Sequence, residues 1–271
     1  MSKVINILHA GALRLPIAQC SKLFKKANPS IEVILESYGS RACARSIREG
    51  NQVDIIALAD PLLFDELLVP EYVDRYYIFA NDQIVLAYDE FSRGSDEITE
   101  NNWTEILSRP EVSFGRSDEN LDPCGYRTMM VWQLAEKYYQ KPGLYRSLNN
   151  KCTEAMIYPK SYELASSVLE GNLDFAYIYL CVAKQFGLKH ISLPDQVNLS
   201  NPAHAAFYQN AKIELQGKHP GEITTVHGAP IEFAVAISKN SEHPENAKVF
   251  LELILSKRGQ QVLENCGLVP Y

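Results

Sequence analysis

No apolar run in this 271-residue chain approaches the ~18 residues that a membrane-spanning helix needs. Basic residues are not in excess: 26 Lys and Arg face 33 Asp and Glu, for a net charge of -7. A basic footprint for nucleic acid is therefore absent. The acidity does not exclude an anionic ligand, because local donors decide that. The chain has no CxxC and no Cys/His cluster, which argues against a zinc site. Its six cysteines, Cys20, Cys43, Cys124, Cys152, Cys181 and Cys266, are widely and irregularly spaced. A chain of this length builds its own cores without a disulfide framework, so they are expected as free, mostly buried thiols. Neither GxGxxG nor a Walker motif occurs. Internal repeats, low-complexity tracts and Gly/Ser-rich linkers are missing too. No signal peptide is visible, since Met1-Ser2-Lys3 leads straight into Val4–Leu8. That leaves a cytoplasmic protein or one whose export signal has been removed.

What remains is an ordinary globular composition, 46% hydrophobic and 22% charged, with length for about two domains. Disorder, collagen-like repeats and coiled coils are excluded. Strand-like and helix-like segments alternate from the start. Residues 4–8 form an apolar run, and Leu13, Pro16, Ile17, Cys20, Phe24 and Ala27 line one helical face up to Asn28-Pro29. Strand-like residues 31–35 follow, then a turn at 37–40, a helix to Arg48 stopped by Gly50, and a third strand over 53–57. This β-α-β-α-β order predicts an open, mostly parallel α/β sheet. Further on, strands are predicted over 83–88, 112–114 and 173–179, and helices from Trp103, from Asp122 to about Tyr139, around Leu164–Leu169, and from Pro244.

Three strand-to-helix turns carry the candidate chemistry: Gly11-Ala12, Gly39-Ser40 and Asp122-Pro123-Cys124. Each offers backbone N–H groups and the positive end of a helix dipole, which bind small oxyanions without basic side chains. The same turns also serve as plain connections in any α/β domain. Ser40 suits a cap or a hydroxyl donor. Ala12 offers only its backbone. Asp122 suits an N-cap with Pro123 at the first helical position. A carboxylate repels an oxyanion, so its other role is as ligand to the anion's central metal. Cys124 lies in a first helical turn, where thiol pKa values fall, but a nucleophile needs a base. None of His9, His190, His204, His219, His227 and His243 is singled out by spacing. Tyr177 and Tyr179 flank Ile178 in one strand, as ligand-facing phenols or as core residues. Arg41, Arg45 and Arg48 share one helix, as a solvated basic face or as an anion-steering one.

Several stretches together resemble the solute-binding proteins of molybdate/tungstate ABC transporters, especially the archaeal-type branch. They are HAGALRLP (9–16), ESYGSRACARSI (36–47), VDIIALAD (53–60), residues 103–139 with DPCGYRT, residues 169–194, and SKRGQQVLENCGLVP (256–270). The resemblance runs in order over nearly the whole chain. It implies an α/β, two-lobed, type II periplasmic-binding-protein-like fold with a hinge, each lobe a mixed sheet flanked by helices. It implies no enzyme activity and no cofactor. The implied ligand is molybdate or tungstate, held by backbone N–H and hydroxyl donors. The implied partner is an ABC permease, and the implied place is periplasmic or extracellular, with or without a lipid anchor. Ligand-binding positions are Gly11, Ala12, Gly39, Ser40, Asp122, Cys124, Tyr177 and Tyr179, with Asp122 a metal ligand only if the oxyanion's metal is coordinated directly. Two positions depart from the family pattern. Ala12 stands where a serine is usual, and Ile178 where the archaeal-type branch carries glutamate. An isoleucine cannot ligate tungsten, so a hydrogen-bonded tetrahedral anion is expected.

Lobe I is expected over 1–82 and 228–271, and lobe II over 83–227, with the ligand cleft between them. The crossings fall near Asn81–Gln83 and His227–Pro230. A monomer that binds no nucleic acid is expected. The rival readings are the same fold with sulfate or a small organic anion, a thiol enzyme using Cys124, and a cytoplasmic anion sensor.

Overall fold

The computed structural model describes residues 4–271; the expected entry of Met1-Ser2-Lys3 into the first strand lies outside the described residues. The chain divides into two units, one comprising residues up to Asp82 with Glu232–Tyr271, the other Gln83–Ile231. The return to the first unit therefore comes at Glu232, later in the chain than the 228 read from the sequence.

The first unit opens with β1 (Val4–Ala10), a 3-10 turn over Gly11–Leu13, and α1 (Arg14–Ala27). β2 (Glu32–Tyr38), α2 (Ser40–Arg48), β3 (Ile55–Leu58) and β4 (Tyr77–Asn81) follow. In the second unit, β5 (Ile84–Tyr88), α3 (Trp103–Ser108), β6 (Phe114–Ser117), α4 (Pro123–Tyr138) and α5 (Leu144–Lys151) come first. Next are β7 (Ile157–Tyr158), α6 (Ser161–Leu169), β8 (Phe175–Tyr179), α7 (Leu180–Phe186) and β9 (Lys189–Ser192). Two short helices, α8 (Asp195–Asn198) and α9 (Ala205–Tyr208), precede β10 (Lys212–Gln216) and β11 (Ile223–His227). The chain then returns through β12 (Glu232–Ile237), α10 (Pro244–Leu255), α11 (Lys257–Asn265) and β13 (Val269–Pro270).

The first unit's sheet has the order β13-β4-β12-β3-β1-β2. β1 runs parallel to both β2 and β3, while β12 is antiparallel to β3 and β4. β3 reads Ile-Ile-Ala-Leu and is buried at every position, as a strand covered on both faces must be. β2 lies at the sheet edge and buries no residue fully. On one face Leu8, Ile56 and Leu58 pack with Cys43, Ile47 and Phe64. α1 buries Ile17, Cys20 and Phe24 at helical spacing, and the Phe24 ring meets Phe250 of α10 edge-on at 5.2 Å.

The second unit's main sheet has the order β7-β6-β8-β5-β9. β6 is parallel to β7 and β8, and β5 is antiparallel to β8 and β9. β10 and β11 form a separate antiparallel pair. α4 is the central helix, buried from Pro123 through Trp132. β6 starts at Phe114 and extends to Ser117, a shift from the 112–114 expected. All six cysteines are buried free thiols.

Candidate functional site

In the first unit, β1, β2 and β3 are parallel, so their carboxyl ends share one sheet edge. That edge is where open α/β sheets place ligands. Ala10 pairs with Tyr38, which sets the Gly11-Ala12 turn beside the Gly39-Ser40 turn. Gly11 and Ala12 are buried in the 3-10 turn. Gly39 is the N-cap of α2, and Ser40 is its first helical residue. The capping role weighed for Ser40 is thereby corrected. Its Oγ instead accepts the Ala59 N–H beyond the end of β3, at 3.0 Å. An oxygen that accepts this bond still has its own hydrogen to donate. Arg41 is only 1% exposed, which overturns a solvated face for that residue.

In the second unit, β6, β7 and β8 are likewise parallel, and α4, α6 and α7 start from the same sheet edge. Asp122 caps two of these helices at once. Its Oδ1 accepts the Cys124 N–H at 3.1 Å, and its Oδ2 accepts the Ser161 N–H at 2.9 Å. Pro123 follows at the first helical position, where its missing N–H is harmless. Gly125 is required next, because a Cβ there would collide with the Ser117 carbonyl. Burial pushes the Asp122 carboxyl above its ordinary range, against the opposing pull of the Ser161 and Cys124 N–H groups and Arg127.

The tyrosine pair separates into two environments. Tyr177 is fully buried in an aromatic cluster, with edge-on contacts to Trp103, Phe114 and Trp132 at ring distances of 6.2, 6.2 and 5.5 Å. Tyr179 ends β8 and accepts a 2.8 Å bond from Arg127 Nη1. Burial raises both phenols well above their ordinary pKa, so both remain protonated. Cys124 directs its thiol toward the Tyr177 carbonyl at 3.5 Å. Ile178, between the tyrosines, is fully buried.

Three residues at this edge were not singled out in the sequence. Arg127 holds Tyr179. Ser117, at the end of β6, and Ser161, at the start of α6, are fully buried, yet neither hydroxyl has a hydrogen-bond partner. Ser161 Oγ lies near the Asp122 carboxylate without meeting the geometry of a bond to it. A buried hydroxyl without a partner is costly, by about 1–3 kcal/mol, and needs an explanation. The Lys160-Ser161 turn follows the strand-to-helix pattern used for the other turns, but β7 has only two residues and leaves little trace in the sequence.

Each edge thus gathers helix starts, buried hydroxyls and backbone amides, an arrangement suited to hydrogen-bonding an oxyanion. Among the described residues, no group of three or more His, Cys, Asp or Glu side chains is placed to hold a metal ion. No helix among them is long and apolar enough to cross a membrane.

The family model for bacterial extracellular solute-binding proteins matches residues 5–269. An uncharacterised solute-binding protein of Petrotoga mobilis is 40% identical over 264 residues, covering 97% of this chain and 82% of its own. The molybdate/tungstate-binding protein WtpA of Pyrococcus abyssi is 37% identical over 286 residues, covering 94% and 81%. Among solved structures, the periplasmic molybdate-binding protein of Azotobacter vinelandii aligns with a TM-score of 0.72 at 14% identity, over 98% of each chain. That identity carries the fold, which is the mixed α/β fold of the periplasmic binding proteins. The chain belongs to the family of bacterial extracellular solute-binding proteins.

Proposed function

We propose that this protein is the solute-binding component of an ABC transporter for a tetrahedral oxyanion, molybdate or tungstate. The carrying observation is the 37% identity to a molybdate/tungstate-binding protein over 94% of the chain. In this reading each unit contributes the donors at its own sheet edge. Gly11, Ala12 and Gly39 supply backbone, Ser40 a hydroxyl and Tyr179 a phenol, while the Cys124 N–H, taken up by Asp122 Oδ1, fixes the start of its helix beside them. Tyr177, within its aromatic cluster, supports the strand. The protein works outside the cytoplasmic membrane and delivers its anion to a membrane permease. It performs no catalysis and needs no cofactor.

The anion is held by hydrogen bonds, with its tetrahedral shell intact. Ile178 offers no ligand atom, and both Asp122 oxygens are engaged by backbone N–H groups. A dianion leaving water must recover its lost hydrogen bonds from protein donors, and fixed amides supply them without mobile countercharge. A conformation that adds donors is then favoured by its higher affinity for the ligand. Ala12 supports a second reading. Without a hydroxyl there, the site loses one donor, which opens it to sulfate or a small organic anion.

A thermal-shift titration with molybdate, tungstate, sulfate and phosphate at equal ionic strength tests both readings. A ligand at 100 times its Kd adds about 2.7 kcal/mol. For a chain of this size that is about 5–10 °C, at ~2–4 °C per kcal/mol. A selective shift with molybdate or tungstate is expected. A shift with sulfate alone moves the assignment to the second reading, and no shift with any anion sinks both.

A further inference from the structure

The chain passes between its two units twice, at Asp82-Gln83 and at Ile231-Glu232. These crossings are far apart in sequence, yet both meet one two-residue turn, Asn198-Leu199, at the end of α8. Asn198 Nδ2 donates to Gln83 Oε1 at 3.0 Å. The Ile231 N–H donates to the Leu199 carbonyl at 2.8 Å. All four residues belong to the second unit. Asn198 is 2% exposed, and Leu199 and Ile231 are fully buried. The Asn198 amide has one orientation that satisfies its neighbours. Its Oδ1 accepts the Ser200 N–H at 2.9 Å, so Nδ2 faces Gln83 Oε1 and the Leu193 carbonyl. Leu199 takes the left-handed backbone conformation, with φ at 64°, which a residue carrying a Cβ adopts at a cost. Such a conformation persists only where the surroundings over-determine it.

We infer that the Asn198-Leu199 turn is a clasp on the two crossings: it ties the second unit's end of both to one point, which becomes the pivot for motion between the units. Two strands that cross independently can shear and twist past each other. Strands held at a common point keep one bending motion and lose the rest. The clasp also adjoins the proposed anion edge. The Gln83 carbonyl accepts the Leu180 N–H at 3.0 Å, and Ile84 pairs with Tyr179 in the sheet. The first crossing is thus built onto the end of β8 that carries the proposed phenol. Fewer competing conformations leave the binding-competent one more populated, and measured affinity follows that population. The link to affinity rests on the oxyanion reading; the clasp itself does not.

The test compares wild type with Asn198→Ala, Gln83→Ala and the double variant. Spin labels on Lys22→Cys and Glu105→Cys, exposed positions of the first and second units, report the spread of inter-unit distances by double electron–electron resonance. The native thiols are all buried, which directs the labels to these two sites. Each single variant is expected to broaden the anion-free distance distribution and to weaken the molybdate Kd by about threefold or more. The double variant should match the more affected single one, because both remove the same bond. An unchanged distribution in Asn198→Ala overturns the inference even if the melting temperature falls, since a merely structural role lowers stability alone. Additive broadening in the double variant also overturns it. Wild-type protein that binds neither molybdate nor tungstate defeats the oxyanion reading, while the anion-free distributions still decide the clasp. If Asn198→Ala fails to fold, Gln83→Ala decides, because it leaves the Asn198 bonds to Leu193 and Ser200 in place.

Discussion

Asp122 and Asp174 are both buried carboxylates of the second unit, yet they are held in different ways. Asp174 immediately precedes β8, whereas Asp122 lies close enough to Tyr179, at the far end of that strand, to act on its phenol. Asp174 is saturated. It accepts from the Arg93 N–H and Nε, from the Ser113 N–H at 2.7 Å and from the Ser113 hydroxyl at 2.8 Å, and it pairs with Arg93 Nη2 at 2.9 Å. Asp122 accepts two backbone N–H groups and sits beside the Ser161 hydroxyl, which has no hydrogen-bond partner. The contrast separates a structural pin from a carboxylate of the proposed anion site. A pin uses every lone pair to join loops, while a ligand edge keeps polar groups in reserve.

The largest expected effect is therefore at the pin. Asp174→Ala strands the Ser113 N–H and hydroxyl, and should cost about 2–3 kcal/mol in urea unfolding. The Arg93 side chain is 58% exposed, so its pairing adds little to that figure. Anion affinity should be unchanged. Asp122→Ala removes one cap from each of two helices and should cost about 1–2 kcal/mol, with a loss of anion affinity. Equal losses of affinity in the two variants would erase the distinction.

The pH dependence should run in opposite directions. Burial would raise the Asp174 carboxyl, but the Arg93 and Ser113 donors outweigh it and hold it below its ordinary value. Its stabilisation is present above the unfolded value of about 3.9 and is lost as pH falls through the lower folded value. Asp122 is raised by burial, so the folded state binds its proton more tightly than the unfolded chain. Its contribution is fully present below about 3.9 and is lost as pH rises through the folded value. Unfolding curves of wild type, Asp174→Asn and Asp122→Asn across acidic pH measure both slopes. The gap between wild type and Asp174→Asn should grow with pH. The gap for Asp122→Asn should shrink.

The sequence made the two edges partly legible. Asp122-Pro123 is a local signal, a cap followed by a proline, and α4 begins there. The first three strands are apolar runs separated by one helix each, and their parallel pairing follows from those connections. β12 was not read, although four of its six residues are buried, because its antiparallel placement between β3 and β4 is a long-range pairing. The two-residue strands β7 and β13 have no periodicity to detect. The same limit hid Ser161. Ser40 was found as a residue and misread in its bond, since Ala59 lies 19 positions away in sequence. Tyr177 and Tyr179 are both fully buried, and which of them joins the aromatic cluster turns on packing against Trp103 and Trp132, which no local pattern in β8 reveals.

The smallest expected effect is the sharpest test of the comparison, because it sets a half-buried serine, Ser113, against a buried one, Ser161. Ser113 Oγ donates to Asp174 Oδ2 and accepts the Asp174 N–H at 3.0 Å, so its hydroxyl is fully used. Ser113→Ala should lose about 1 kcal/mol. Ser161 Oγ is buried without a partner, so its desolvation is uncompensated while no ligand is bound. Ser161→Ala should leave the anion-free protein unchanged or more stable by up to about 1 kcal/mol. If the hydroxyl meets the anion, the same substitution should weaken molybdate binding by roughly five- to tenfold, the weight of one ordinary hydrogen bond. One methyl-for-methylol exchange then moves stability and affinity in opposite directions at Ser161, and stability alone at Ser113. A stability loss at Ser161 equal to that at Ser113, with Kd unmoved, would make α6's start another structural joint and confine the ligand's donors to the other helix starts.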